Sequence, residues 1–157
     1  MPHASLDAPP STATDAERRR TFPRSHRLKR QRLIRSLFDR SRSDVQTVAT
    51  GCVRLLYRRV DRDAVGHDVP LQIGFSPGPK ARSGVKRTRV RRLLREVYRV
   101  NQHRLVDLCR GRDDALIVMV LFRGTPSQAS QCIARDLPRA MARVAADVQR
   151  LLASSEA

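Results

Sequence analysis

The sequence predicts an α+β sandwich whose elements run α-β-β-β-α-β-α. Three observations carry this. Residues Ala115 to Phe122 (A-L-I-V-M-V-L-F) form a near-continuous apolar run of strand length, as expected of a central strand buried on both faces. The stretch Ser83 to Arg99 (S-G-V-K-R-T-R-V-R-R-L-L-R-E-V-Y-R) is polarised when wound at a helical period. Ile133, Leu137, Met141, Val144, Val148 and Leu151 keep helical spacing toward the C-terminus. Together with three more extended or amphipathic segments, these predict one layer of helices on a sheet.

Residues 1–20 read as a disordered Pro/Ser/Thr-rich leader ending in Arg18-Arg19-Arg20. The triplet is either a cationic arm or a solubilising tail. A single domain is expected over 21–153, with a short tail at 154–157. Within Arg27 to Phe38, Leu33, Ile34, Leu37 and Phe38 are spaced as one face of a short helix, with Arg30, Arg32 and Arg35 elsewhere on it. Phe38 is either a core aromatic or a platform for a single-stranded base.

Residues 45–60 carry β-forming Val45, Val48, Val53, Leu55, Leu56, Tyr57 and Val60, with Gly51 as a bend. Asp61 to Asp68 reads as a turn. Val69 to Phe75 alternates as a strand with Pro70 at its start, and Ser76-Pro77-Gly78-Pro79 stops it. Ser83 is the expected cap of the basic helix. In the last helix, Pro138 is expected to start or kink the element, with Asp136 as its cap.

On the basic helix, Val90, Leu93, Leu94, Val97 and Val100 share an arc of about 120°, opposed by Arg87, Arg91, Arg92, Arg95 and Arg99, with Tyr98 at the seam. Solvated helix faces normally mix signs, because like charges four residues apart destabilise the helix. Here Glu96 is the only acid between Lys80 and Arg99. Such self-repulsion points to a polyanion that relieves it, and arginine suits bidentate phosphate contacts.

The charge distribution agrees. The chain of 157 residues has a net charge of +17 and a pI near 11.6. Residues 18–42 hold 11 basic and 1 acidic residues, and residues 79–99 hold 9 and 1. The remainder is close to neutral. Two segments, not a generally basic surface, therefore carry the excess.

Other chemistries find little support. Five residues separate Gly78 from Gly84 where a P-loop has four, and no Lys-Ser/Thr follows, so the loop is not a phosphate-cradling P-loop. His3, His26, His67 and His103 are scattered, and Asp61, Asp63 and Asp68 lack calcium-loop spacing. No catalytic residue or protein metal ligand is expected. Cys52, Cys109 and Cys132 are odd in number and far apart, so neither zinc nor a disulfide is expected, and free buried thiols are the default. With no apolar signal segment and no run long enough to span a bilayer, a soluble cytoplasmic protein is expected, without membrane association.

The segment F-S-P-G-P-K-A-R-S-G-V-K-R-T-R-V-R-R-L-L-R-E-V-Y-R (75–99) resembles the signature of the bacterial ribonuclease P protein family, a strand and loop followed by an Arg-Asn-Arg-x-Lys-Arg-Leu-x-Arg-Glu helix. Arg87, Arg89, Arg92, Leu93, Arg95 and Glu96 match, Arg91 replaces a lysine, and Thr88 stands where the family has asparagine. The segment F-P-R-S-H-R-L-K-R-Q-R-L-I-R-S-L-F (22–38) resembles the family's opening turn and first helix. The similarity extends from about Thr21 to Leu152.

The resemblance implies a left-handed βαβ crossover around the basic helix, against the common hand. It implies an accessory subunit of an endoribonuclease that removes the 5′ leader of precursor tRNA. The catalytic groups lie in an RNA, which also binds most of the Mg²⁺. Lys80, Arg82, Lys86, Arg87, Thr88, Arg89, Arg91, Arg92, Arg95 and Arg99 would face the catalytic RNA. Arg27, Lys29, Ile34, Phe38 and Tyr57 would face a cleft for the leader. The implied partners are that RNA and precursor tRNA, with no obligate protein partner. A DNA-binding module and a ribosomal protein share the charge. The former usually has Asn or Gln among its base contacts, and the latter would co-purify with ribosomal RNA.

Overall fold

The structure, a computed structural model, describes residues 21–66 and 68–155. The expected leader at 1–20, with His3, lies outside them, as do His67 and residues 156–157. Among the described residues, five helices and four strands follow in the order α1 (Gln31–Leu37), β1 (Gln46–Thr50), β2 (Val53–Asp61), α2 (Arg62–Val65), β3 (Leu71–Ser76), α3 (Gly84–Asn101), α4 (His103–Cys109), β4 (Asp114–Phe122) and α5 (Ala129–Ser155).

The sheet order is β1-β2-β4-β3. The strands β1, β2 and β4 are antiparallel neighbours, while β3 lies parallel to β4. The apolar run at 115–122 is thus a central strand, as its composition predicts. Gly51 makes the β1–β2 turn at φ 56°, in the left-handed region that glycine tolerates.

Helices cover both faces of the sheet, not one. The odd-numbered residues Val53, Leu55 and Tyr57 of β2 and the even-numbered Leu116, Val118 and Val120 of β4 pack under α3, α4 and α5. Leu56, Val60, Ile117 and Met119 point the other way, against Leu28, Leu33 and Leu37. Before α1 begins, Arg27 and Leu28 run along β3, where the Leu28 N–H donates to the Ile73 carbonyl at 3.0 Å. The first helix therefore starts later than its pattern suggests.

Two short helices add to the expected elements. The first, α2, stands where a turn was expected, and α4 follows the basic helix where no element was expected. The last helix starts at Ala129 and continues past Pro138, which therefore does not start it, reaching Ser155 inside the expected tail. Asp136 is therefore no cap. It lies in the helix interior, 3% exposed, with its carboxylate turned onto the β1–β2 turn. Ala129, Ile133, Leu137 and Ala140 are all fully buried. That continuous apolar stripe outweighs the single backbone bond that proline forfeits.

Candidate nucleic-acid interface

Ser83 caps α3 as predicted, its hydroxyl accepting the Lys86 N–H at 3.2 Å. Val90, Leu94 and Tyr98, at i, i+4 and i+8, form the buried stripe. Tyr98 is thus core and not seam. Its ring meets Phe22 and Phe75 edge-on, with centroids 5.4 and 5.7 Å away. Val100, placed on the buried arc from the sequence, is 47% exposed instead.

With that stripe buried, Lys86, Thr88, Arg89, Arg91, Arg92 and Arg95 stand in solvent. Among the described residues, Arg89, Arg91, Arg92 and Arg95 have no acidic partner. Glu96 is taken by Arg99 at 2.6 Å, and that guanidinium holds its carboxyl below the usual range. Arg87 turns back, its Nε donating to the Ala81 carbonyl at 2.9 Å. Arg87 therefore braces the loop that carries Lys80 and Arg82, as well as adding charge.

The 79–82 loop, the start of α3 and residues Thr125 to Ser127 enclose a hollow rimmed by Lys80, Arg82, Lys86 and Arg89. Thr125 and Ser127 bring hydroxyls to it. Sequence spacing hid them, because only the parallel pairing of β3 with β4 brings the end of β4 beside the basic loop. Gly78 closes the corner at φ 79°, where a Cβ would run into the Phe122 carbonyl.

A second basic surface lies across the sheet, beside α1. Ser36 accepts a hydrogen bond from the Arg58 Nε at 2.9 Å, fixing one flank of α1 toward the β2 end. Arg32, Leu33 and Ser36 share that flank with Val60, Asp61 and Asp114. The cations there are largely neutralised, since Arg59 pairs with Asp114 and Arg42 with Asp44. The opposite flank carries Ile34, half-buried, and Phe38, 50% exposed.

The α1 side of the sheet also has a strip that no helix of the described residues covers. Registered side by side across the four strands, it reads Ala49, Arg54, Leu121 and Ser76, all exposed or half-buried. The next row, with Leu56, Met119 and Gly74, is buried. Lys29 is exposed, and Arg27 is half-buried with its guanidinium 5.4 Å from the Phe22 ring. The strip ends at Ser76, one residue before the turn into the Lys80 loop. The two cationic surfaces therefore meet at one edge of the sheet.

Tyr57 does not belong to this groove. It points to the opposite face, 2% exposed, and its hydroxyl donates to Asp147 of α5 at 2.8 Å. Burial and this carboxylate push its phenol well above the usual value. Its neighbour Leu56 faces the α1 side instead. The cysteine expectation also fails, for Cys52 and Cys132 form a disulfide, with Cα atoms 6.2 Å apart. Cys109 is free, and burial pushes its thiol up to about 12.

The described residues thus define a small α+β protein with two cationic surfaces meeting at one sheet edge. The chain belongs to the Ribonuclease P family, whose family model matches residues 22–145. It is similar to the ribonuclease P protein component of Natranaerobius thermophilus, 41% identical over 61 residues, 39% of this chain. The matched stretch spans about half the length of that relative, 49%. No solved structure matches the chain. No helix of the described residues is long and apolar enough to cross a membrane.

Proposed function

We propose that this chain is the protein subunit of a cytoplasmic ribonuclease P ribonucleoprotein. Its α3 surface binds the catalytic RNA, and the groove between α1 and the uncovered strip holds the single-stranded 5′ leader of precursor tRNA. The convergence of the two surfaces at Ser76 and the Lys80 loop is the observation that carries this reading. It lets one RNA-protein assembly hold the leader beside the RNA that cuts it. Unpaired Arg89, Arg91, Arg92 and Arg95 suit a phosphate backbone, and an exposed Phe38 suits a stacked base.

The chemistry is assigned to the RNA. Among the described residues, the cluster of possible metal-ligating side chains is Cys52, Cys132 and Asp136, and its two sulfurs are joined in the disulfide. Mg²⁺ takes several oxygen ligands, and Asp136 alone offers them there. The Mg²⁺ of the reaction is assigned to phosphate oxygens, and the protein's contribution is to hold substrate and RNA together.

Reconstitution tests this. Protein added to its cognate catalytic RNA at low Mg²⁺ should restore cleavage at the mature 5′ end, while protein alone should cleave nothing. Cleavage by the RNA-free protein, or no effect on the RNA, would overturn the reading.

A further inference from the structure

Cys52, Cys132 and Asp136 bring two sulfurs and a carboxylate within 4.8 Å of one another. Cys132 and Asp136 are four residues apart on α5, so they share one face of the helix, with the Cys132 Sγ 3.3 Å from the Asp136 Oδ2. Cys52 comes from the β1–β2 turn, and its backbone N–H donates to the same carboxylate oxygen at 3.0 Å. The turn is shaped around that carboxylate, for a Cβ on Gly51 would collide with it. Cys52 and Asp136 are buried and Cys132 is half-buried, so the cluster opens to solvent at one sulfur.

As a disulfide the pair ligates nothing, but reduction frees two thiols beside the carboxylate. A dithiol reductant reaches the half-buried Cys132 sulfur, and its thiolate displaces Cys52 as a thiolate. The reductant's second thiol then breaks the mixed disulfide. The protein ends with two thiols and the reductant as a disulfide, two electrons having moved. With Cα atoms 6.2 Å apart, the freed sulfurs can part to the roughly 3.8 Å that two Zn–S bonds span.

The donor set narrows the metal. Thiolates suit neither Mg²⁺ nor Ca²⁺, which take oxygen ligands, and a carboxylate is a poor partner for Cu(I). Zn²⁺ accepts both donor types in a tetrahedral set, with water from the Cys132 side as the fourth ligand. Two thiolates and a carboxylate around Zn²⁺ leave one negative charge in excess. Arg135 offsets it, with its Nε 2.9 Å from the Asp136 Oδ1 and a terminal nitrogen 3.6 Å from the Cys132 Sγ. That guanidinium and the Cys52 N–H hold the carboxylate as outer partners hold a metal ligand.

We infer that Cys52, Cys132 and Asp136 form a redox-gated Zn²⁺ site, closed as a disulfide and open to the metal once the two thiols are free. Each thiol gives its proton to solvent as the metal binds. Disulfide and metal alike tie the hairpin tip to α5. The tie reaches further, since the Cys52 carbonyl accepts the Arg123 N–H at 2.7 Å, two residues before Thr125 at the hollow beside α3. The site is independent of which RNA the chain binds.

The test uses the full chain with Zn²⁺ as the probe, once oxidised and once reduced with a phosphine and desalted under nitrogen. In competition with a chromophoric chelator, the reduced chain should take up one equivalent, about 100-fold or more tightly than the oxidised chain. Zn²⁺ should raise the melting temperature of the reduced chain and leave that of the oxidised chain unmoved. Co²⁺ in its place should give a thiolate-to-metal charge-transfer band. Asp136→Asn should weaken Zn²⁺ at least about 10-fold, and Cys109→Ala should leave binding unchanged. Equal affinity in the two redox states, or no uptake by the reduced chain, would overturn the site. So would a charge-transfer band that survives in the double variant Cys52→Ser, Cys132→Ser. The comparison of redox states needs no variant, so it decides the matter even where a substitution fails to fold.

Discussion

The Asp136 carboxylate accepts the Cys52 backbone N–H at 3.0 Å, joining two residues 84 positions apart. It also pairs with Arg135 at 2.9 Å, and these partners hold its carboxyl below the ordinary aspartate value, the Arg135 hydrogen bond being the larger cause. A depressed carboxylate stabilises the fold fully above its unfolded value of 3.8, and the contribution is lost as pH falls through the folded value. Asp136→Ala should cost about 2 kcal/mol at neutral pH. Thermal melts from pH 6 down to the acid limit should show a shallower acid loss in Asp136→Asn than in wild type.

Beside that carboxylate, the Cys52–Cys132 disulfide closes a loop with a sequence separation of 80. In the chain-entropy account, breaking it costs up to about 4.5 kcal/mol. Thiol titration in denaturant without reductant should find one reactive group, Cys109, and reduction should raise this to three. In the folded protein Cys109 should react very slowly near neutral pH, since its thiol titrates at about 12. Three thiols before reduction would show that the pair is not bonded.

Tyr57 and Phe38 sit on opposite faces of one sheet, so their variants should separate. Tyr57→Phe loses the hydrogen bond to Asp147 and should cost about 1 kcal/mol in a denaturant melt. Its discrimination between leader-bearing and mature tRNA should equal that of wild type. Phe38→Ala, at an exposed position, should leave the melt nearly unchanged and weaken leader-bearing substrates preferentially.

Arg89 and Arg92 stand in solvent without acidic partners. Reversing both charges should weaken binding to the catalytic RNA. The plot of log affinity against log salt should flatten by roughly 0.7 to 0.9 for each phosphate the protein no longer neutralises. An unchanged slope would remove the two residues from the interface.

Much of this architecture is written locally. The run at 115–122 has the length and continuity of a strand buried on both faces, and the Arg-rich helix with its serine cap needed no tertiary information. Other features depend on parity or distance. Both faces of β2 are covered, so alternation alone could not say whether Tyr57 or Leu56 looked toward α1. The cysteine pair meets only because a hairpin tip reaches the first turns of α5. The helix at 103–109, by contrast, is legible. Leu105, Val106 and Cys109 have the spacing of one buried face. At Pro138, local propensity points to a helix start and the packing of Ile133 and Leu137 overrides it.

Gly78, wedged against the end of β4, sets a final consequence. Any side chain there would strike the Phe122 carbonyl, so only glycine lets the chain leave β3 this close to the end of β4. On the proposed reading, the surface offered to the catalytic RNA and the groove offered to the leader would be joined through that one tightly packed corner, and a bulkier residue at Gly78 would have to part them.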